Sequence, residues 1–162
     1  MLGVIKINLL ILRSICTKLN EVWVKEDIIE IVNKLFVYTD NKEWDKLQKE
    51  VFTDTVDFDM LSLGGEVTKK TSRQICEEWN KGFEDLDAIN HLAGNYIIDI
   101  DSNSANVFAY ATATHYKSSA INGKTREFVG SYNLHLVKTD NAWRIDRFKY
   151  NLKYATGNLD LK

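Results

Sequence analysis

The chain has no proline, only two cysteines and no excess of positive charge. Cys16 and Cys76 share no metal-ligand spacing with each other or with a histidine, which argues against a zinc site. Two thiols fit a reduced, cytoplasmic protein better than a disulfide scaffold. The formal net charge is -2 and the lysines and arginines are scattered, so we expect neither a nucleic-acid partner nor a membrane partner.

Several catalytic motifs are also missing. The sequence has no glycine-rich phosphate loop, no Ser-His-Asp nucleophile elbow and no His/Asp/Glu cluster at metal-ligand spacing. We therefore expect neither a metal nor a redox or nucleotide cofactor. What the chain does have is 162 residues, of which 44% are hydrophobic, and this predicts a single globular domain with a substantial core.

The first residues are apolar but differ from a membrane or secretion signal. Residues 1–16 are interrupted by Lys6, Asn8 and Arg13, they are too short to span a bilayer, and they lack a small-residue cleavage site. We predict that residues 1–20 form an extra helix or arm, or reflect a start codon assigned too early. Residues 21–162 then form the single domain.

Helical patterns dominate the first half of the chain. Apolar residues at three-and-four spacing predict a helix over residues 25–36. A short second helix over residues 44–51 has Asp40 and Glu43 at the spacing of a capping box. A third helix opens at residue 71 or 72 and continues to about residue 83.

Strand patterns dominate the second half. Residues 56–60 alternate as a strand that Gly64 and Gly65 turn back into a hairpin. Four further strands are predicted over residues 95–100, 105–117, 126–137 and 142–154. Together these elements predict an α+β fold, in which three N-terminal helices pack on a strongly curved, mostly antiparallel sheet and enclose a cone suited to a ligand.

One predicted strand carries polar side chains on a single face. Alternation sends Ser131, Asn133 and His135 to one side, while Tyr132 and its apolar neighbours take the other. Hydroxyl, amide and imidazole on one face of a central strand suggest the polar wall of a pocket. Alternatively, these groups bond neighbouring side chains or water in a partly wet interior.

An aspartate and two histidines are candidates for acid–base chemistry. Asp40 follows Phe36 by four residues, so its carboxylate points into the cone if the first helix extends that far, and an imidazole is its natural partner. Otherwise Asp40 only caps the next helix. His115 shares a face with small residues that leave room for a ligand, unless it is a satisfied core histidine. His91 carries a proton or lies in a surface loop.

These residues resemble those of the SnoaL-like branch of the NTF2-like superfamily, near the scytalone dehydratases. The similar segments are Asp40-Asn41-Lys42-Glu43-Trp44-Asp45-Lys46-Leu47, His91 in Asn90-His91-Leu92-Ala93-Gly94, His115, and Ser131-Tyr132-Asn133-Leu134-His135. The resemblance covers residue 25 to the C-terminus and implies a cone-shaped barrel.

The resemblance also implies roles for single residues, and the chain departs from some of them. It implies that Ser131 and Asn133 face the ligand. Two tyrosines of the dehydratases are absent, because Thr39 stands at the first position, with Tyr38 one residue away, and no tyrosine lies near Asp59.

Residues and resemblance together predict a cofactor-free dehydratase or isomerase for a small apolar or aromatic hydroxy-carbonyl compound. His91, Asp40 and His115 are the predicted catalytic residues. The predicted substrate-binding residues are Asn133, Ser131, Tyr38, Phe58, Trp79 and Tyr110. Two alternatives remain: a non-catalytic binding or dimerisation module, and a structural subunit of an oxygenase. The resemblance further implies a homodimer or homotrimer formed through the sheet face.

Overall fold

The computed structural model describes residues 9–162, with side chains from residue 11. Three helices are present: α1 (Leu9–Asp40), α2 (Trp44–Lys46), which continues as a π-helical segment (Leu47–Val51), and α3 (Ser72–Gly82). The six strands are β1 (Phe52–Asp59), β2 (Val67–Thr71), β3 (Ala88–Asp101), β4 (Ser104–Tyr116), β5 (Thr125–Thr139) and β6 (Ala142–Gly157).

Helix α1 crosses the predicted boundary between residues 20 and 21. No glycine or proline interrupts Leu9–Asp40, so the helix continues through the segment predicted as a separate arm. Of its residues 11–40, only those in the second half of the helix pack into the core, among them Ile28, Val32 and Leu35. Residues 1–8 of the predicted extension lie outside the described part. Within residues 9–162, no helix is both long and apolar enough to cross a bilayer.

The six strands form one sheet in the order β2-β1-β6-β5-β4-β3. All neighbouring pairs are antiparallel except β1 and β6, which are parallel. This confirms the predicted α+β fold with a mostly antiparallel curved sheet. The sheet does not close into a barrel, because β2 and β3 remain its two edges.

The polar face of β5 is the outer face of the sheet, which reverses the prediction. Tyr132, Leu134 and Leu136 point inward and are buried in the core. Asn133 is exposed, and its Oδ1 accepts a hydrogen bond of 2.7 Å from Asn151 Nδ2. Burying apolar side chains stabilises the fold, while burying an amide without a partner costs free energy, so the apolar face of the strand faces the helices.

Two helix-start predictions have different outcomes. Thr71 caps α3 as predicted, since its Oγ1 accepts a bond from Gln74 N at 3.1 Å while Gln74 Oε1 accepts from Thr71 N at 2.9 Å. The predicted capping box before α2 is wrong. Asp40 is the last residue of α1, and Glu43 occupies the N-cap of α2 without a side-chain bond.

Strand boundaries also differ from the sequence pattern. β3 begins at Ala88, seven residues before the predicted start at residue 95, so His91 lies within a strand rather than in the turn before it. The predicted hairpin of β1 and β2 is present. Gly64, at φ 78°, ends a 3-10 turn over Leu61–Leu63 that joins the two strands.

Candidate active site

A cavity of about 350 Å³ lies between the end of α1, helix α3 and the inner face of the sheet. Its wall is mostly apolar and aromatic, with two imidazoles, a guanidinium and two phenols among it. The lining residues are Leu35, Phe36, Thr39, Met60, Leu63, Trp79, Phe83, His91, Ala113, His115, Arg126, Phe128, Tyr132, Phe148 and Tyr150. This size and composition suit one small organic molecule.

The Asp40 carboxylate holds His91 through two hydrogen bonds. Asp40 Oδ1 lies 2.5 Å from the ring atom Nδ1, and Oδ2 accepts a bond of 2.8 Å from the His91 backbone amide. The side chains are only 15% and 8% exposed, respectively. Phe36 stacks on the imidazole at a centroid distance of 5.2 Å. The ring is therefore fixed in both position and rotation.

These contacts determine which nitrogen of His91 carries the proton. A carboxylate only accepts hydrogen bonds, so in the neutral imidazole Nδ1 bears the hydrogen and Nε2 keeps its lone pair. Nε2 makes no hydrogen bond to the described residues, while the ring lines the cavity. His91 therefore presents a proton acceptor, with an anion behind it that stabilises the charged imidazolium.

His115 has the opposite polarity. Its Nδ1 accepts a hydrogen bond of 3.0 Å from Arg126 Nε, so Nε2 carries the hydrogen. Burial, with smaller contributions from the charges of Arg126 and His91, lowers the pKa of His115 to about 3. At neutral pH His115 is therefore an uncharged hydrogen-bond donor in the same cavity as His91.

Arg126 belongs to the site, although the sequence analysis did not single it out. Its Nη1 donates a bond of 2.8 Å to the Leu159 carbonyl, and its guanidinium lies 5.4 Å from the centre of the Phe128 ring. Burial lowers the pKa of Arg126. The register pairs His115 with Arg126 across the β4–β5 turn. One predicted strand ended at residue 117 and the next began at residue 126, so antiparallel pairing could have revealed this neighbour.

Tyr132 and Tyr150 also line the cavity, although neither is among the predicted substrate-binding residues. Tyr132 was predicted on the apolar face of β5, and Tyr150 lies beside it on β6. Their ring centroids are 4.9 Å apart. Neither hydroxyl has a hydrogen-bond partner among the described residues, and that of Tyr150 is fully buried.

The structure brings together the three predicted catalytic residues but few of the predicted substrate-binding ones. Asp40 contacts His91, and both His91 and His115 line the cavity. Trp79 also lines it. Phe58 instead lies in the core behind Trp79, with ring centroids 6.0 Å apart.

Four predicted substrate-binding residues lie away from the cavity. Asn133 and Ser131 belong to the outer face of β5, since the inward positions are Tyr132 and its alternate neighbours. Tyr110 lies on the outer face of β4, where its hydroxyl accepts a 3.0 Å bond from Lys153 Nζ. The Tyr38 hydroxyl donates to Glu50 at 3.0 Å, because α1 turns it away from the site.

The described residues do not include a metal-ligand cluster. Within residues 9–162, no three His, Cys, Asp or Glu side chains come together as a potential metal site. The polar groups of the cavity are thus an imidazole acceptor, an imidazole donor, a guanidinium and two phenols, which suit proton transfer and the binding of oxygen atoms.

Known proteins share this fold. The family model of the SnoaL-like domain matches residues 20–149. The Kfla4162 protein from Kribbella flavida is 25% identical and superimposes with a TM-score of 0.78 over 85% of this chain and 95% of that one. A proposed scytalone dehydratase from Novosphingobium aromaticivorans is 18% identical, with a TM-score of 0.73 over 86% and 90%.

A more distant neighbour is the LinA-type3 hexachlorocyclohexane dehydrochlorinase from Novosphingobium barchaimii. It is 10% identical, with a TM-score of 0.70 over 86% of this chain and 92% of that one. No curated protein matches the chain. The family match spans most of the sequence, and the neighbours include NTF2-like proteins. The chain belongs to the SnoaL-like domain family and has its NTF2-like fold.

Proposed function

We propose that this protein is an acid–base enzyme that eliminates water from a small, mostly apolar hydroxy-carbonyl compound, or isomerises such a compound. The observation that carries the proposal is the Asp40 carboxylate on His91 Nδ1, which leaves the Nε2 lone pair at the cavity. A general base needs this polarity, and the buried anion stabilises the imidazolium once the proton has moved.

The proposed reaction begins with His91. Its Nε2 takes a proton from the carbon next to the carbonyl, and the electron pair moves to the carbonyl oxygen as an enolate. When the enolate collapses, the β-hydroxyl leaves with the proton that the imidazolium returns, so the net loss is one water. Isomerisation differs only in that the proton returns to another carbon.

The enolate oxygen needs a hydrogen-bond donor that does not itself give a proton to the base, His91. His115 supplies a neutral Nε2–H, and its pKa of about 3 keeps the ring uncharged while His91 works. Arg126 adds a positive charge beside it. Donors already fixed toward a developing oxyanion are among the most effective catalytic groups, and the apolar wall strengthens them by excluding water.

The structural neighbours are consistent with an elimination. The names of two of them describe a dehydratase and a dehydrochlorinase, and both names denote loss of a small molecule from adjacent carbons. At 18% and 10% identity these neighbours establish the fold alone. The proposed reaction class therefore depends on Asp40, His91, His115 and Arg126 of this chain.

The test combines ligand identification with a matched pair of histidine variants. Small molecules retained by His91→Ala are identified by untargeted mass spectrometry and then offered to the wild-type protein. Elimination yields a product lighter by one water, and isomerisation in D₂O yields a product that carries solvent deuterium. His135→Ala is the control, because His135 lies on the outer face and bonds Asp146.

We expect His91→Ala to reduce turnover by about 10²- to 10⁴-fold, the usual contribution of a positioned general base. His135→Ala should turn over like the wild type. Equal turnover by His91→Ala and wild type would refute the mechanism. A retained ligand that neither the wild type nor any variant converts would instead favour the non-catalytic binding module.

A further inference from the structure

Tyr150 is an unusual buried residue, because its hydroxyl has no hydrogen-bond partner. The side chain is only 3% exposed, and Oη contacts no donor or acceptor within residues 9–162. Leaving a hydroxyl unpaired in the interior costs roughly 1–3 kcal/mol. A phenylalanine would fill the same volume without that cost, so the hydroxyl has no structural function in this state.

The backbone makes room for this hydroxyl. Gly130 lies on the neighbouring strand β5, and a Cβ there would stand 2.5 Å from Tyr150 Oη and 2.6 Å from its Cζ. Only glycine therefore allows the phenol to extend from β6 across β5. Beyond Gly130 the next strand, β4, presents Ala111 and, one inward position further, the cavity-lining Ala113. The ring thus points along a row of small residues toward the cavity.

Tyr132 provides a second phenol beside the first. It is 7% exposed, lines the cavity, and its hydroxyl likewise lacks a partner among the described residues. Its ring lies 4.9 Å from that of Tyr150 and 5.0 Å from Phe36, which stacks on His91. The two phenols therefore lie side by side on the sheet wall, next to the proposed base.

We propose that Tyr132 and Tyr150 form a binding site for a second ligand oxygen, separate from the oxygen held by His115 and Arg126. This inference rests on the proposed function and narrows its substrate class. The ligand carries two oxygens, a carbonyl that faces His115 and a hydroxyl that faces the two tyrosines.

The protonation state of the phenols suits this role. Burial raises the pKa of Tyr150 to about 12 and also raises the pKa of Tyr132. Both hydroxyls therefore remain protonated at neutral pH and act as hydrogen-bond donors toward a ligand oxygen. A ligand that accepts from them removes the unpaired-hydroxyl cost, which adds to its affinity.

The experiment compares two probes that differ by one hydroxyl. One probe is cyclohexanone, and the other is 4-hydroxycyclohexanone, whose hydroxyl lies across the ring from the carbonyl. Dissociation constants are measured by calorimetry for the wild type, Tyr150→Phe, Tyr132→Phe and the double variant. Tyr110→Phe is the matched control, because Tyr110 lies on the outer face of β4 and bonds Lys153.

In the wild type we expect the hydroxyl to improve affinity by roughly 10-fold, as one or two net hydrogen bonds would. Each single variant should lose part of this gain, the double variant all of it, and Tyr110→Phe none. The proposal is overturned if the wild type shows no gain, or if the double variant keeps it. Thermal unfolding of Tyr150→Phe without ligand should show equal or higher stability.

The outcome is separable from that of the proposed function. His91→Ala keeps both tyrosines, so it should retain the hydroxyl gain even though turnover is lost. A gain that depends on the tyrosines, together with full turnover by His91→Ala, would refute the mechanism and leave the oxygen site standing. If His91→Ala loses turnover while the probe's hydroxyl gives the wild type no gain in affinity, the mechanism stands and the oxygen site is refuted.

Discussion

Two histidine–aspartate pairs lie on opposite faces of the same sheet. On the inner face, His91 Nδ1 and Asp40 Oδ1 are 2.5 Å apart, and on the outer face His135 Nδ1 and Asp146 Oδ1 are 2.6 Å apart. The inner side chains are 8% and 15% exposed, and the outer ones 19% and 26%. The pair geometry is almost the same, while the surroundings differ.

The difference shows that such a pair is not a site by itself. Asp40 also binds the His91 backbone amide, and the His91 ring lines a cavity with donors for a ligand oxygen. His135 and Asp146 come from adjacent strands on the outside of the sheet and do not line the cavity between α1, α3 and the inner face. The surroundings of the other ring nitrogen, Nε2 of the histidine, therefore decide whether such a pair can act on a substrate.

Replacing each aspartate with asparagine gives the largest expected contrast. In Asp40→Asn, the amide oxygen still accepts from the His91 backbone, while the NH₂ group donates to Nδ1 and forces the hydrogen onto Nε2. The base loses its lone pair at the cavity, so we expect kcat to fall by on the order of 10²-fold or more. Asp146→Asn should leave kcat unchanged.

Two measurements check this contrast. Steady-state kinetics gives the rates, and ¹⁵N NMR of the His91 ring reports which nitrogen is protonated. The tautomer should switch in Asp40→Asn while the melting temperature stays near that of the wild type. Equal loss of activity in both asparagine variants would mean that the inner pair has no special role.

His115 shows the effect of burial without an ion pair, because it is 6% exposed and no carboxylate of the described residues is bonded to it. Its pKa falls from 6.5 to about 3 on folding, so between these values the unfolded chain binds the extra proton. Its contribution to stability is therefore fully present above about pH 6.5 and declines at up to about 1.4 kcal/mol per pH unit as the pH falls.

His115→Gln should remove that part of the pH dependence. Denaturant unfolding at several values between about pH 4 and pH 7 gives the free energy of unfolding for the wild type and the variant, and subtraction cancels the carboxylates common to both. The difference should reach about 2–3 kcal/mol over two pH units. Parallel curves would show that His115 is readily protonated in the folded protein.

The smallest effect is expected on the outer face of β5. Asn133→Ala removes the bond to Asn151, which is exposed, so the free energy of unfolding should change by about 0.5 kcal/mol or less. Turnover should be that of the wild type, because Asn133 lies on the side of the sheet opposite the cavity. A large loss of kcat would restore the role that the family resemblance implied for this residue.

The sequence identified Asp40 because it continues the apolar stripe of α1 beyond Phe36, and the structure places its carboxylate on His91. His115 was found from its place in a predicted strand and from the family resemblance, whereas His91, predicted in a turn before a strand, was found mainly from the resemblance. Arg126 and Tyr150 were missed, since an arginine near a strand end and a tyrosine in an apolar strand are ordinary when only the pattern is visible. Their importance arises from partners on other strands.

Alternation along β5 determined from the sequence alone which side chains share a face, and the helix pattern placed Asp40 in line with the apolar stripe of α1, whereas only the structure shows that the helix reaches it. These are local properties, because backbone periodicity and side-chain chemistry set them residue by residue. Only the tertiary structure decided which face of β5 points inward and which histidine has a cavity before it. That choice depends on which surface the helices cover, since burial of apolar area is summed over the whole molecule.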